Sequence, residues 1–553
     1  MPAPLRKLVL GLLVAAASLA LLEAGARALG LGDRSALVRL EPAGAAGDDG
    51  EVRVRALGIS KEIDHVSAPF PSEHREGATR IVLIGESAAA GFPFQPASTP
   101  ARWLELRLGA RRPDLDLEIV DTSIPGLQSD FFPPIARLAF DPPPDLVIVY
   151  AGNNEFLLSF LAVERARGAA DRLVERLARS SAGVRWLRAA LAPTGRALEN
   201  PRNPLSTEVF YDEPLGPLRR RVLDRLARNL RTVVRLARDA GAEVLIARPA
   251  AALREAVPKS SVFAADVPED ARERFAALVE EARARTRRGD FGAADEAIAA
   301  AAHIDDEVAI LHFRRGERLE AEGRLDEARD AYRRALDLDE RPVRVNAATA
   351  AVLERVAAAE GVAYLDVDRA FADASPHGIV GEDLLVDHVH LTVGGQHRLA
   401  GHLIDALRAL RLPDGEAAWT DDDVSLEGGV EALGLDRRTA LHPEAQLGFL
   451  AVFLALESGD PEPLGKARRR FDRALERTPD EPLATAGRAV LAVAEGRADD
   501  AMEAFDRLAE RSPGTMATLA SMVARHAGLR SAFERAGLRF EGGRVVRTSP
   551  IGG

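Results

Sequence analysis

The 553-residue chain contains no cysteine. That excludes a disulfide framework, a thiolate zinc site, an iron–sulfur cluster, a cysteine nucleophile and any lipid attached through a thiol, whatever the compartment. Chemistry, where there is any, must use oxygen and nitrogen groups. Aromatic residues make up only 5% of the chain, and just four of its 73 basic residues are lysine (Lys7, Lys61, Lys259 and Lys466). The arginine excess is spread evenly and matches the alanine-rich composition, so it points to coding bias. Nor is there an excess of positive charge. Against 85 acidic residues the net charge is -12, with both signs interspersed, which argues against a surface that tracks phosphates and excludes nucleic acid from the expected partners. At roughly 100 to 200 residues per domain, the length allows three or four domains.

Long apolar runs are also scarce, with one exception at the amino end. Residues 8–22 (LVLGLLVAAASLALL) are uninterruptedly apolar, preceded by Arg6 and Lys7 and followed by Glu23 and Arg27. Fifteen residues at about 1.5 Å each cover about 22 Å, short of the roughly 30 Å hydrocarbon core, so a span requires snorkelling flanks or a thinned bilayer. Small residues at Ala17, Ser18 and Ala20 are compatible with cleavage, whereas the apolar continuation through Leu21 and Leu22 favours retention. The reading is an uncleaved, single-pass signal anchor over residues 1–30. The positive flank keeps the amino end cytoplasmic and places the rest of the chain outside, in a periplasm or at the cell surface.

From residue 80 onward, short apolar runs alternate with longer helical patterns: RIVLIG (80–85), LEIVDT (117–122), DLVIVYAG (145–152), AEVLIARP (242–249) and VAYLDVD (362–368). Runs of this length with little alternation predict strands buried on both faces of a parallel sheet, covered by helices such as 101–110, 219–240 and 345–360. In such sheets, sites lie beyond the carboxyl ends of the strands. About 90 residues separate the fourth and fifth strands beyond what a crossover needs. There Gly316, Ala328, Tyr332 and Ala335 follow a tetratricopeptide-like spacing. Past the sheet, Ala467, Phe471 and Pro479 recur as Ala501, Phe505 and Pro513, each displaced by the 34 residues of that repeat. The predicted domains are the anchor at 1–30, a linker at 31–79, a sheet domain at 80–265 and 343–412, inserted helical hairpins at 266–342 and a helical repeat domain at 413–553. The trailing repeats are expected to stand apart from the chemistry, so that deleting 425–553 leaves turnover of a small substrate nearly unchanged. The inserted hairpin near 285–340 is expected to shape access to the sheet rim.

Four stretches fall on that rim. Ser87 follows the first strand in GESAA (85–89), although position 89 is Ala, which departs from the G-x-S-x-G elbow of α/β-hydrolases. DTSIPG (121–126) ends in Gly126, whose backbone N–H is unshielded, and AGNNEF (151–156) offers the side-chain amide of Asn154. One donor from each, with the Ser87 N–H as a third, is what a tetrahedral oxyanion needs. In EDLLVDHVHLT (382–392), Asp387 and His390 are three apart, so the carboxylate can orient an imidazole that deprotonates Ser87. His388 lacks the third ligand a metal site requires, and no metal or cofactor is expected. His397 and His402 read as helix-face residues.

The segments GESAAAG, SIPGLQS, AGNNEF and DHVHLTVGGQHRLA resemble the four blocks of the SGNH (GDSL-like) hydrolases, and the chain as a whole resembles bacterial membrane-anchored members carrying tetratricopeptide repeats. The resemblance implies an α/β fold: a flavodoxin-like three-layer hydrolase domain with a parallel sheet, plus an all-α tetratricopeptide insertion and C-terminal helical repeats. It also implies Ser87 as nucleophile, His390 as base, Asp387 as its partner, and Ser87, Gly126 and Asn154 as the oxyanion hole. Glu86 and Glu155 stand where the family more often has Asp, at positions outside its catalytic set. The activity implied is hydrolysis of an oxygen ester, such as an O-acyl group on a glycan, with the repeats binding a protein or polysaccharide. The alternatives are an O-acetyltransferase using the same triad and a repeat scaffold whose hydrolase domain is vestigial.

Overall fold

The protein is described by a computed structural model covering residue 24 and residues 37–43, 50–57, 65–157, 210–211, 214–254, 256–411, 419–435, 444–458 and 462–548. The apolar run at 8–22 lies outside the described residues. Among those described, no helix is long and apolar enough to cross a membrane.

Three short strands, β1 (Val38–Pro42), β2 (Glu51–Ala56) and β3 (Phe70–Pro71), form an antiparallel sheet. They lie within 31–79, where the sequence pattern predicts a linker. Val38, Val54 and Phe70 are buried in the same core as one layer of the main sheet, with β1 beside helix Phe132–Ala139 and β3 beside Leu117–Asp121, so this segment is part of the sheet domain. Its strands are short and largely polar, which is why their pattern is weak in the sequence.

The main sheet contains β4 (Thr79–Gly85), β5 (Leu117–Asp121), β6 (Leu146–Tyr150), β7 (Glu243–Arg248) and β8 (Ala363–Asp366), every neighbouring pair parallel. The spatial order is β8-β7-β6-β4-β5. Numbered along the chain within this sheet, that is 2-1-3-4-5, the flavodoxin-like order, with the topological switch between β4 and β6. Alternate residues serve opposite faces, as the two-residue period of a strand requires. Ile81, Leu83, Leu146, Ile148 and Leu245 pack with Trp103, Leu104 and Leu403 from helices Pro100–Arg111 and Val393–Ala409. Val82, Ile84, Val147, Val149 and Ile246 pack with Phe132, Leu230 and Val356 from helices Phe132–Ala139, Pro217–Asp239 and Ala347–Glu360. The result is the expected three-layer α/β arrangement.

The insertion between β7 and β8 consists of two helical hairpins, Glu269–Arg287 with Phe291–Ala302 and Ala309–Ala321 with Leu325–Leu338. Gly316 is required by packing, because a Cβ there would lie 2.6 Å from the Tyr332 ring. In the trailing repeats, Phe471 is wedged between Gly448 and Gly487, where an added Cβ would lie 2.4 and 2.1 Å from its ring.

The boundary expected at 412/413 is displaced. Residues 419–435 belong to the sheet domain: Val430 is buried in its core beside Trp103, and a Cβ on Gly429 would lie 2.1 Å from that indole. Asp423 accepts from Arg107 Nε at 2.8 Å. A deletion starting at 425 would therefore uncover the sheet-domain core. The trailing domain also ends in a hairpin, Leu538–Glu541 with Arg544–Arg547, turned by Gly542 and Gly543 at positive φ, in addition to its helices.

Candidate active site

The loops after β4, β5 and β6 meet at the switch point, and the segment after β8 joins them. Gly85 ends β4 because nothing larger fits: a Cβ would lie 2.7 Å from the Tyr150 carbonyl on the adjacent strand. Ser87 then opens a short helical turn, with Ala90 N–H donating to Glu86 O at 2.9 Å. Gly91 at φ +80 ends that turn, and the covering helix begins only at Pro100. Ser87 thus sits in a separate turn at the rim, ahead of the helix.

The structure brings Ser87, His390 and Asp387 together. His390 Nε2 is 2.7 Å from Ser87 Oγ, and His390 Nδ1 is 2.6 Å from Asp387 Oδ2. The other carboxylate oxygen, Oδ1, accepts the backbone N–H groups of Val389 and His390 at 2.9 Å each. Burial opposes ionisation of Asp387, but His390, His388 and these hydrogen bonds outweigh it and hold the carboxyl well below its usual range. An ionised carboxylate only accepts, so it fixes the proton on Nδ1 and leaves the Nε2 lone pair facing the serine hydroxyl. Phe92, half-buried, flanks the imidazole with ring centroids 4.7 Å apart.

His388 occupies a different environment. Its carbonyl accepts from Ala252 N at 3.0 Å, its ring lies 3.5 Å from Asp387 Oδ1, and burial pushes its pKa down to about 3. The alanine-rich segment after β7 therefore contributes backbone: Ala252 N–H steadies the His388 peptide, while Arg344 donates to Ala252 O at 2.7 Å.

Gly126 and Asn154 line the two neighbouring loops. Gly126 adopts φ +78, a conformation that favours glycine. Asn154 donates one amide hydrogen to Leu127 O at 2.7 Å, which leaves its second N–H for another acceptor. His65, from the amino-terminal segment, buttresses the same turn: its Nδ1 donates to Pro125 O at 2.9 Å and its ring closes over Gly126.

Two buried acids tie these loops together, a role that the sequence pattern does not assign to them. Glu86, beside Ser87, accepts Gly152 N–H at 3.2 Å and Asn153 N–H at 3.0 Å. Glu155, beside Asn154, accepts the backbone N–H and the hydroxyl of Ser129 at 2.8 and 3.0 Å. Burial, reinforced by the Glu155 carboxylate, pushes Glu86 up to about 8. Glu155 is raised by burial too, against the pull of Arg225, which lies 3.5 Å away and also donates to Gln128 Oε1 at 2.9 Å. The legible signal is Arg225 itself, an arginine on the apolar stripe of Leu218, Val222 and Leu226.

Two stretches, residues 309–342 and 454–514, match tetratricopeptide-repeat families, one in the insertion and one in the trailing domain. No curated protein matches the chain. Among solved structures, the chain is similar to a lipase/acylhydrolase from Enterococcus faecalis at 14% identity, covering 61% of this chain and 99% of that one with a TM-score of 0.26. It is also similar to TesA (14% identity, 60% and 99% covered, TM-score 0.25) and to phospholipase A1 from Streptomyces albidoflavus NA297 (13% identity, 60% and 99% covered, TM-score 0.26).

Proposed function

We propose that the sheet domain is a serine esterase of the SGNH type that hydrolyses an oxygen ester. The observation that carries this reading is the unbroken series Asp387–His390–Ser87, with bonds of 2.6 and 2.7 Å on the rim of the switch point. His390 Nε2 takes the Ser87 proton as Oγ bonds to the ester carbonyl carbon. The carbonyl oxygen becomes an oxyanion, for which the Ser87 and Gly126 backbone N–H groups and the free Asn154 N–H are the donors. The protonated His390 gives its proton to the departing alkoxide as the carbon–oxygen bond breaks, leaving an acyl-serine. Water, deprotonated by His390, then releases the acid and regenerates Ser87.

The substrate class this reading favours is an O-acyl group on a glycan, reached outside the cytoplasm by a domain tethered through residues 8–22, with the repeats binding a protein or polysaccharide partner. The test is hydrolysis of p-nitrophenyl acetate by the full chain in detergent beside its Ser87→Ala variant. Equal rates would reject the esterase. For topology, a single cysteine introduced near residue 440 is expected to react with a membrane-impermeant maleimide in intact spheroplasts, and labelling only after lysis would place the enzyme inside.

A further inference from the structure

We propose that Arg470, in the trailing tetratricopeptide domain, is a positioning residue for the loop that carries Asp387 and His390, so that the docked repeats are a working part of the esterase. The proposal rests on the esterase reading above. Arg470 belongs to helix Glu462–Arg477, on the same side as the buried Ala467, Phe471 and Ala474, and is only 8% exposed. Its guanidinium leaves the repeat domain and enters the other one. Nη2 donates to Glu382 Oε1 at 2.7 Å and lies 3.4 Å from the Val386 carbonyl oxygen, while Nη1 lies 3.5 Å from Glu444 Oε2.

The Val386 carbonyl belongs to the peptide that joins Val386 to Asp387. Within the loop, the Val386 N–H donates to His390 O at 2.7 Å, so Val386 is held on one side by the loop itself and on the other by Arg470. Glu382, where the loop begins, is held by the same guanidinium. Both acceptors face the same nitrogen, Nη2, while Nη1 faces Glu444, so one planar guanidinium holds the carbonyl and the two carboxylates in a fixed relation, for which a lysine has only one nitrogen. Arg473, one turn on, shares the carboxylates of Glu382 (3.1 Å) and Glu444 (3.0 Å) and engages these acids in place of the Val386 carbonyl. It therefore separates the effect of the backbone contact from that of the ion-pair cluster. This arrangement replaces the expectation that the trailing repeats stand apart from the chemistry.

Misplacing a reacting group by about 1 Å can cost on the order of a hundredfold. In the full chain, Arg470→Ala is expected to lower kcat for p-nitrophenyl acetate by at least about tenfold with KM little changed. Arg470→Lys is expected to recover part of the loss, and Arg473→Ala to stay close to the parent. The downfield Nδ1 proton resonance of His390, assigned by its disappearance in His390→Ala, is expected to weaken in Arg470→Ala, which altered repeat packing alone would not cause. Circular dichroism establishes that the variants are folded; if Arg470→Ala is not, Arg470→Lys against Arg473→Ala decides the matter. An active parent with Arg470→Ala within about twofold of it, or with Arg473→Ala equally impaired, overturns the proposal and leaves the esterase standing. A parent no faster than Ser87→Ala rejects the esterase itself.

Discussion

Replacing Asp387 by asparagine exchanges one atom and reverses a hydrogen bond. The carbonyl oxygen of the new amide can stay where Oδ1 is and keep the Val389 and His390 backbone N–H groups, both at 2.9 Å in the parent. Its NH₂ then faces His390 Nδ1, 2.6 Å from the parent carboxylate, and two donors cannot share that bond. His390 must shift its proton to Nε2, which points at Ser87 Oγ, and the lone pair that takes the serine proton in the proposed mechanism is gone. Turning the amide round would restore the tautomer but sacrifice two backbone bonds, each about 1 kcal/mol net and more where the N–H is left buried and unpaired. The expected outcome for Asp387→Asn is a fall in kcat of about 10⁴-fold, or about 5 kcal/mol of transition-state stabilisation, with the melting temperature nearly unchanged. The assay is steady-state hydrolysis of p-nitrophenyl acetate by the folded variant. Retention of more than about a tenth of the parent kcat would refute the assignment of Asp387 as the orienting partner.

Three further outcomes are expected. Asn154→Ala should lower kcat by about 10² to 10³ with little change in KM, since in the proposed mechanism its second amide N–H acts on the developing oxyanion; a KM effect instead would make Asn154 a ground-state contact. Asp121, which burial pushes up to about 7, and Glu86, up to about 8, bind protons in the folded state that the unfolded chain has released, so stability should fall as pH rises from about 6.5 to 8; below that window His388, held near 3, acts in the opposite direction. Asp121→Asn keeps an oxygen for the Ser123 N–H, 3.0 Å in the parent, and should flatten the slope of melting temperature against pH, whereas an unchanged slope would show that Asp121 is ionised in the fold. Phe471→Ala leaves a void between Gly448 and Gly487 and should cost about 3 to 5 kcal/mol of repeat-domain stability in denaturant unfolding; a loss under about 1 kcal/mol would mean the helices collapse to fill it.

Much of this protein is local in its sequence and therefore legible there. The first four parallel strands announce themselves because burial on both faces demands apolar runs, the half-buried edge strand Ala363–Asp366 does so less strongly, and Ala467, Phe471, Ala501 and Phe505 announce the repeats because each repeat needs the same seam. Asp387 and His390 share one turn, so their pairing follows from spacing alone. Tertiary structure alone decided what holds that geometry in place. Glu86, Glu155 and Arg225 meet only after three loops converge, His65 reaches Pro125 across 60 positions, and Arg470 reaches Val386 across 84. Each of these groups makes a hydrogen bond or ion pair whose partner is distant in the chain. No periodicity encodes such a bond, and the clearest trace it leaves is a charged residue on a stripe that ought to be apolar, as at Arg225 and Arg470. The same reason explains the misplaced boundary at 412/413: the glycine that admits Trp103 is an ordinary helix residue until the indole arrives.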